Sequence, residues 1–296
     1  MNAARDWAQL LRVSALFTVP GDALAGAAAA GVRADRRTAL AIGCSLCLYE
    51  AGMVLNDWAD QDEDARERPD RPLPSGRIHP AAALGAAAGL TTVGLAFAAR
   101  AGRPAAAVAG VLAATVWAYD LKLKHTSAGA VAMGAARGLD LLLGAVATGG
   151  RPLRPAVTLS SAALAAHTYA VTRVARNETT GGAGLASLAA LATSAVIGTA
   201  LAWRSVDLAP SGTRPVRDLA APTFAALYGA TAARPYLHAA LNPSPDLTQR
   251  AVGGGIRSLI PLQAALAAHA GAPACGAALM ALAPLARRIS RKVSPT

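Results

Sequence analysis

The chain has 296 residues, 54% of them apolar and 15% charged, with a formal net charge of +11 and a mean hydropathy of +0.37. That balance excludes disorder, collagen and coiled coil, and leaves a helical membrane protein or a large Ala-rich soluble helical protein. Basic residues scattered over short joints, without interleaved aromatics, argue against a nucleic-acid partner and for an anionic membrane lipid surface.

Apolar segments recur at 8–31, 38–56, 80–99, 104–119, 127–148, 155–172, 183–203, 217–240, 250–271 and 273–286. Most approach the roughly 20 residues that cross a bilayer. The pattern predicts an all-α polytopic bundle of nine to ten spans in one integral-membrane domain, residues 1–296. The N-terminus does not read as a signal peptide, because Arg5 is balanced by Asp6 and the apolar run continues past Pro20. In the second segment Cys44 and Cys47 form a lone CxxC without a second pair or a nearby His, which predicts small buried hydrophobes. Joints such as Gly102-Arg103-Pro104 and Gly149-Gly150-Arg151-Pro152 are too short for structure of their own.

Several polar residues lie inside these spans. Asp22, Glu50 and Asp140 need a cavity or a partner there. Glu50 is expected to face the same cavity as Asn56, Arg137 and Asp140 are either an ion pair or part of a site, and Asp22 has no assignment. His167 and Tyr169 end the sixth span and read as interfacial residues, with contact to a substrate as the lesser reading. Segment 217–240 carries Arg217, Asp218, Arg234 and His238, so an amphipathic helix at the interface is an alternative.

Seven of the 17 acidic residues fall between positions 57 and 70. Asp57, Asp60 and Asp64, spaced i, i+3, i+7, would share about 60° of one continuous helix face. At about 6 Å and an effective dielectric near 20, each such carboxylate pair costs about 3 kcal/mol, so the cluster calls for cations. Carboxylates with neighbouring Arg68 and Arg71 suit Mg²⁺ together with a diphosphate, since Mg²⁺ takes one or two carboxylates and fills its shell with water and phosphate oxygens.

The string Asn56-Asp57-x-x-Asp60-x-x-x-Asp64, followed by Arg71-Pro72-Leu73-Pro74-Ser75-Gly76, resembles the first aspartate motif of the UbiA superfamily of intramembrane prenyltransferases. The layout of spans extends the resemblance over essentially the whole chain. Tyr119-Asp120-Leu121-Lys122-Leu123-Lys124-His125-Thr126 resembles the second signature, with a shifted Tyr-to-Lys spacing that leaves Lys122 or Lys124 as the phosphate contact. The third element departs: Tyr169 to Gly182 holds Glu178 as its only acid, with Val174 as its i−4 partner and Arg173 with Asn177 in the adjoining pair, where two carboxylates four apart are usual. That departure, with Arg137-Gly138-Leu139-Asp140, resembles the divergent EboC-like branch.

The resemblance implies an Mg²⁺-dependent transfer of an isoprenyl group from an isoprenyl diphosphate to a lipophilic or aromatic acceptor. Asp57, Asp60, Asp64 and Glu178 would hold metal, and Lys124 would join the three aspartates in catalysis. Asn56, Arg68, Arg71, Tyr119, Lys122, Arg173, Arg176 and Asn177 would bind substrate. An intramembrane terpene cyclase acting on the same donor, and a lipid-binding or transport accessory without turnover, are the alternatives. The expected setting is a bacterial cell membrane with the site on the cytoplasmic side. With ten spans and the N-terminus inside, Arg12 and the tail residues Arg287, Arg288, Arg291 and Lys292 join the inner joints in a positive-inside excess; with nine spans that bias disappears.

Overall fold

The computed structural model describes residues 3–11, 18–178, 181–207 and 216–293, without the side chains of 204–207, 216–218, 283 and 285–293. Arg12, the side chains of Arg217 and Asp218, and those of the basic tail residues Arg287, Arg288, Arg291 and Lys292 therefore lie outside the described residues.

Among the described residues the chain is all helical. The elements are α1 (Ala3–Leu10), α2 (Val19–Ala29), α3 (Arg36–Ala59), α4 (Gln61–Glu67), α5 (Pro80–Ala101), α6 (Arg103–Ala118), a π-helical turn (Tyr119–Leu123), α7 (Gly129–Ala147), α8 (Pro155–Ala175), α9 (Gly184–Asp207), α10 (Val216–Leu241), α11 (Pro245–His269) and α12 (Pro273–Val293). The predicted first span is represented by two helices, α1 and the 11-residue α2. Among the described residues, six helical stretches are long and apolar enough to cross a membrane: Arg36–Ala59, Pro80–Ala101, Arg103–Leu123, Gly129–Ala147, Gly184–Trp203 and Pro245–His269. The nine to ten expected spans are not reached on that measure. His167 and Arg173 in α8, and Arg234 and His238 in α10, lower the hydropathy of those helices.

Local chemistry sets the helix ends. The Asp35 side chain accepts from the N–H of Arg37 and Thr38, and the Asp35 N–H donates to the Thr38 hydroxyl, a capping box that opens α3. The Thr38 and Arg37 amides hold the exposed Asp35 carboxyl below the usual carboxylate range. Gly102 turns α5 into α6 at φ 141°, a conformation side-chain-bearing residues rarely adopt, and Pro104 then starts α6.

Packing follows chain order from α2 and α3 through α5, α6, α7, α8, α9 and α10 to α11, which returns to α2 and closes a ring. Similar hydropathy hides different environments: 83% of the apolar window of α11 is buried inside the protein, against 22% for α5. The outer helices turn Val93, Val111, Leu188 and Val196 outward, as lipid-facing surfaces do. Helix α10 belongs to the ring: its Tyr228 and Tyr236 are fully buried and it packs on both α9 and α11, so the interfacial alternative is set aside.

Glycine permits the closest approach in the bundle. A Cβ on Gly144 of α7 would stand 2.7 Å from the carbonyl carbon of Ala23 in α2, and one on Gly26 would stand 2.9 Å from the Ala145 nitrogen. Backbone lies on both sides, so neither strain can be relieved by a rotamer change. Gly144→Ala is expected to cost about 1–3 kcal/mol, seen as a lowered unfolding midpoint of the detergent-solubilised protein. An unchanged midpoint would mean that the two helices sit further apart.

Candidate active site

The acidic segment is not one continuous helix. Asp60 ends α3 and begins α4 with φ −96° and ψ 14°, outside helical geometry. The shared face predicted for the three aspartates is thereby split. Asp57 and Asp64, both nearly buried, turn to Arg71, whose Nη1 lies 3.3 Å from Asp57 Oδ1 and 2.6 Å from Asp64 Oδ2. Asp60 instead pairs with Lys124.

The Arg71–Gly76 string folds as a plug. Leu73 and Ile78 bury against Leu10, Val54 and Leu55, while the Ser75 hydroxyl donates to the Arg71 carbonyl at 2.6 Å. Hydrophobic burial of the loop thus sets the position of a guanidinium. Arg77 ties the loop to Asp6 of α1 and to the Asp70 carbonyl. Arg68 is exposed, with Nη1 3.9 Å from Asp64 Oδ1.

The π-helical turn explains the shifted Tyr-to-Lys spacing. An extra residue per turn lets the Lys124 N–H bond the Tyr119 carbonyl, five residues back, at 2.9 Å. That winding brings Lys124 onto Asp60 and leaves Lys122 exposed. Of the two lysines, Lys124 is the one that stands at the aspartate cluster. We expect Lys124→Ala to slow turnover at least about tenfold and Lys122→Ala to change it less than about twofold, measured as initial rates with an isoprenyl diphosphate.

At the third element, Arg176 donates from Nη2 to the Lys124 carbonyl at 3.1 Å and to the Thr126 carbonyl, so it braces the lysine-bearing loop. Arg173 is exposed and reaches the Tyr169 hydroxyl at 3.4 Å, and Asn177 donates to the Arg173 carbonyl at 3.4 Å. Glu178 is half-buried, with its N–H on the Ala175 carbonyl. Among the described residues, Asp60, Glu63 and His125 are the group whose possible ligand atoms all lie within 4.8 Å of one another. Glu178 is outside it. Carboxylate oxygens at Asp57, Asp60 and Asp64, two of them converging on one guanidinium nitrogen, are the hard donors that suit Mg²⁺.

Beside this charged cluster opens a cavity of about 260 Å³ between α3, α6 and α7. Its charged end holds Asn56, Tyr119 and Asp120; its walls are Leu48, Gly52, Met53, Leu112 and Val116; its far end holds Ser45, Arg137 and Asp140. Asn56 donates to Asp120 Oδ1 at 3.4 Å. Asp120 is nearly buried; the sequence signal for it is an acid inside a basic motif at a span's end. Glu63 and His125, distant in sequence, carry no such local signal for their proximity. Tyr49 rather than Glu50 lines the cavity; Glu50 is buried elsewhere, its carboxylate without a hydrogen-bond partner among the described residues.

Other polar residues inside the spans have structural partners. Arg137 pairs with Asp22, Nε to Oδ2 at 2.8 Å, rather than with Asp140, which accepts from Ser45. Gln263 of α11 donates to Asp22 Oδ1 at 2.6 Å. His167 is not interfacial: it is buried, with Nδ1 2.9 Å from the Tyr228 hydroxyl and Nε2 3.0 Å from the Gly255 carbonyl. Cys44, Cys47 and Cys275 are free, and Cys44 is fully buried.

Comparison with known proteins identifies the family and the fold. The model of the UbiA prenyltransferase family matches residues 14–241. The digeranylgeranylglyceryl phosphate synthase of Methanopyrus kandleri is 36% identical over 148 residues, 50% of this chain and 52% of that protein. The protoheme IX farnesyltransferase of an Anaeromyxobacter species is 36% identical over 129 residues, 42% and 44% of the two chains. The chain spans about half the length of the curated relatives it matches. A UbiA homologue of Archaeoglobus fulgidus, solved with GPP and Mg²⁺, superposes with a TM-score of 0.64 at 17% identity over 93% of this chain and 99% of that one, a likeness of fold.

Proposed function

Since the chain belongs to the UbiA prenyltransferase family, a family of multi-pass integral membrane proteins, we propose that it transfers an isoprenyl group from an isoprenyl diphosphate to a lipophilic or aromatic acceptor, with Mg²⁺ as cofactor. The observation that carries this reading is the junction of an acid–base cluster with an apolar cavity: Asp57, Asp60, Asp64, Arg71 and Lys124 stand at the end where Asn56 and Asp120 open into it.

Bound Mg²⁺ supplies charge neutralisation for the departing diphosphate. Asp57, Asp60 and Asp64 would hold it through carboxylate oxygens. Arg71 and Lys124, paired with those carboxylates here, are the cations placed to meet the phosphate oxygens of the donor. The allylic C1–O bond then breaks with its electron pair leaving on the diphosphate, and the acceptor's nucleophilic atom bonds to C1. Asp120, on the cavity wall, takes the acceptor's proton. Leu48, Met53, Leu112 and Val116 exclude the water that would otherwise capture the cation. We place this end of the cavity at the cytoplasmic face, where the basic joints gather.

The test is incubation of membranes containing the full chain with Mg²⁺ and an isoprenyl diphosphate, with and without candidate acceptors. A prenylated acceptor formed only with Mg²⁺ is expected. Hydrocarbon released without acceptor would assign cyclisation instead, and no consumption of donor would assign a non-catalytic role.

A further inference from the structure

We infer that the Ser45–Asp140–Arg137 end of the cavity is a polar floor that limits the prenyl chain to about three isoprene units. The inference rests on the proposed function and adds a donor-length specificity to it.

The far end is lined by polar and charged groups rather than by bulky apolar ones. Ser45 donates to Asp140, Arg137 is held by Asp22, and Gln263 secures Asp22 from α11, so α2, α3, α7 and α11 meet in one buried network. Ser45 is 2% exposed, Asp140 7% and Asp22 fully buried. Desolvating these groups further against hydrocarbon is unfavourable, and their partners keep them from swinging aside. The tail of a bound donor therefore stops there.

The distance defines the limit. Ser45 and Asn56 face the same cavity on α3, and 11 residues at 1.5 Å each put them about 16 Å apart along the helix. An isoprene repeat adds four backbone bonds of about 1.5 Å, or about 5 Å of extended chain. Three repeats reach the floor and a fourth has no room. The same distance excludes the floor as the place where the acceptor reacts, because bond formation at C1 occurs next to the diphosphate, at the Asn56 end.

Helix α7 runs from the charged end to the floor and offers graded positions. Ala132 and Ala136 line the cavity two turns and one turn before Asp140. A phenylalanine at either would raise the floor by a known amount.

The test is titration of the purified full chain, with Mg²⁺, by dimethylallyl, geranyl, farnesyl and geranylgeranyl diphosphates. The wild type is expected to bind geranylgeranyl diphosphate at least tenfold more weakly than farnesyl diphosphate. In Ala136→Phe the farnesyl-to-dimethylallyl affinity ratio is expected to fall at least tenfold. Ala132→Phe, an independent variant should the first not fold, is expected to lower the geranyl-to-dimethylallyl ratio as well. Equal wild-type affinity for farnesyl and geranylgeranyl diphosphates, or ratios unmoved by both variants, overturns the floor alone. A wild-type protein that binds none of the four overturns the proposed function with it.

Discussion

Asp64→Asn is expected to lower Mg²⁺-dependent consumption of an isoprenyl diphosphate by at least about a hundredfold, the scale on which removal of one charge-stabilising group from an active site acts. The substitution keeps the shape of the side chain and an acceptor oxygen but removes the charge. Asp64 is 4% exposed and bonded to Arg71 at 2.6 Å, so its carboxylate is fixed where the guanidinium and the plug loop hold it. Losing that charge weakens cation binding and leaves Arg71 with Asp57 as its remaining ion-pair partner in the cluster. The exposed Asp62, two residues away, supplies the contrast: Asp62→Asn is expected to change the rate less than about twofold, as surface substitutions do. Initial rates of donor consumption at saturating Mg²⁺ check both. Equal losses in the two variants would mean that the segment acts by net charge and not through the buried pair.

The largest effect on stability is expected at Arg137. Arg137→Met removes the ion-pair partner of a fully buried Asp22 and leaves its carboxyl beside Asp140, with Gln263 as a neutral hydrogen-bond donor, a loss of about 3–5 kcal/mol. Breaking a buried pair costs more than never having had one. The double variant Asp22→Leu with Arg137→Met is therefore expected to recover most of the loss, because no uncompensated charge remains. Unfolding midpoints in detergent read both. A double variant as unstable as the single would show that Arg137 acts through its other contact, the Thr18 carbonyl at 3.1 Å, rather than through Asp22.

Much of the fold is legible in the residues because a helix and its end signals are local. The apolar stretches, the Gly102 turn and the Asp35 start of α3 all follow from near neighbours. So does the charged character of the segment after residue 56, whose acids and arginines are adjacent in the chain. What escapes is set by contacts distant in sequence. Arg137 and Asp140 look like a pair at i, i+3, yet each finds a partner on another helix, Asp22 and Ser45. His167 looks like a span-end residue and is instead a buried link between α8, α10 and α11. Two local irregularities are equally hidden. The break at Asp60 divides what phasing alone presents as one face, and the π-helical turn selects Lys124 by adding a residue that a regular helix would not hold. Both occur where side chains of opposite charge meet across helices, Asp60 with Lys124, so tertiary ion pairing overrides the simple period.

The most direct test of the central claim is calorimetric titration of the full chain with geranyl diphosphate, with and without Mg²⁺, in the wild type and in Asp57→Asn. Saturable binding that requires Mg²⁺ in the wild type and weakens at least about tenfold in the variant is the expected result. Binding indifferent both to Mg²⁺ and to Asp57 would contradict it.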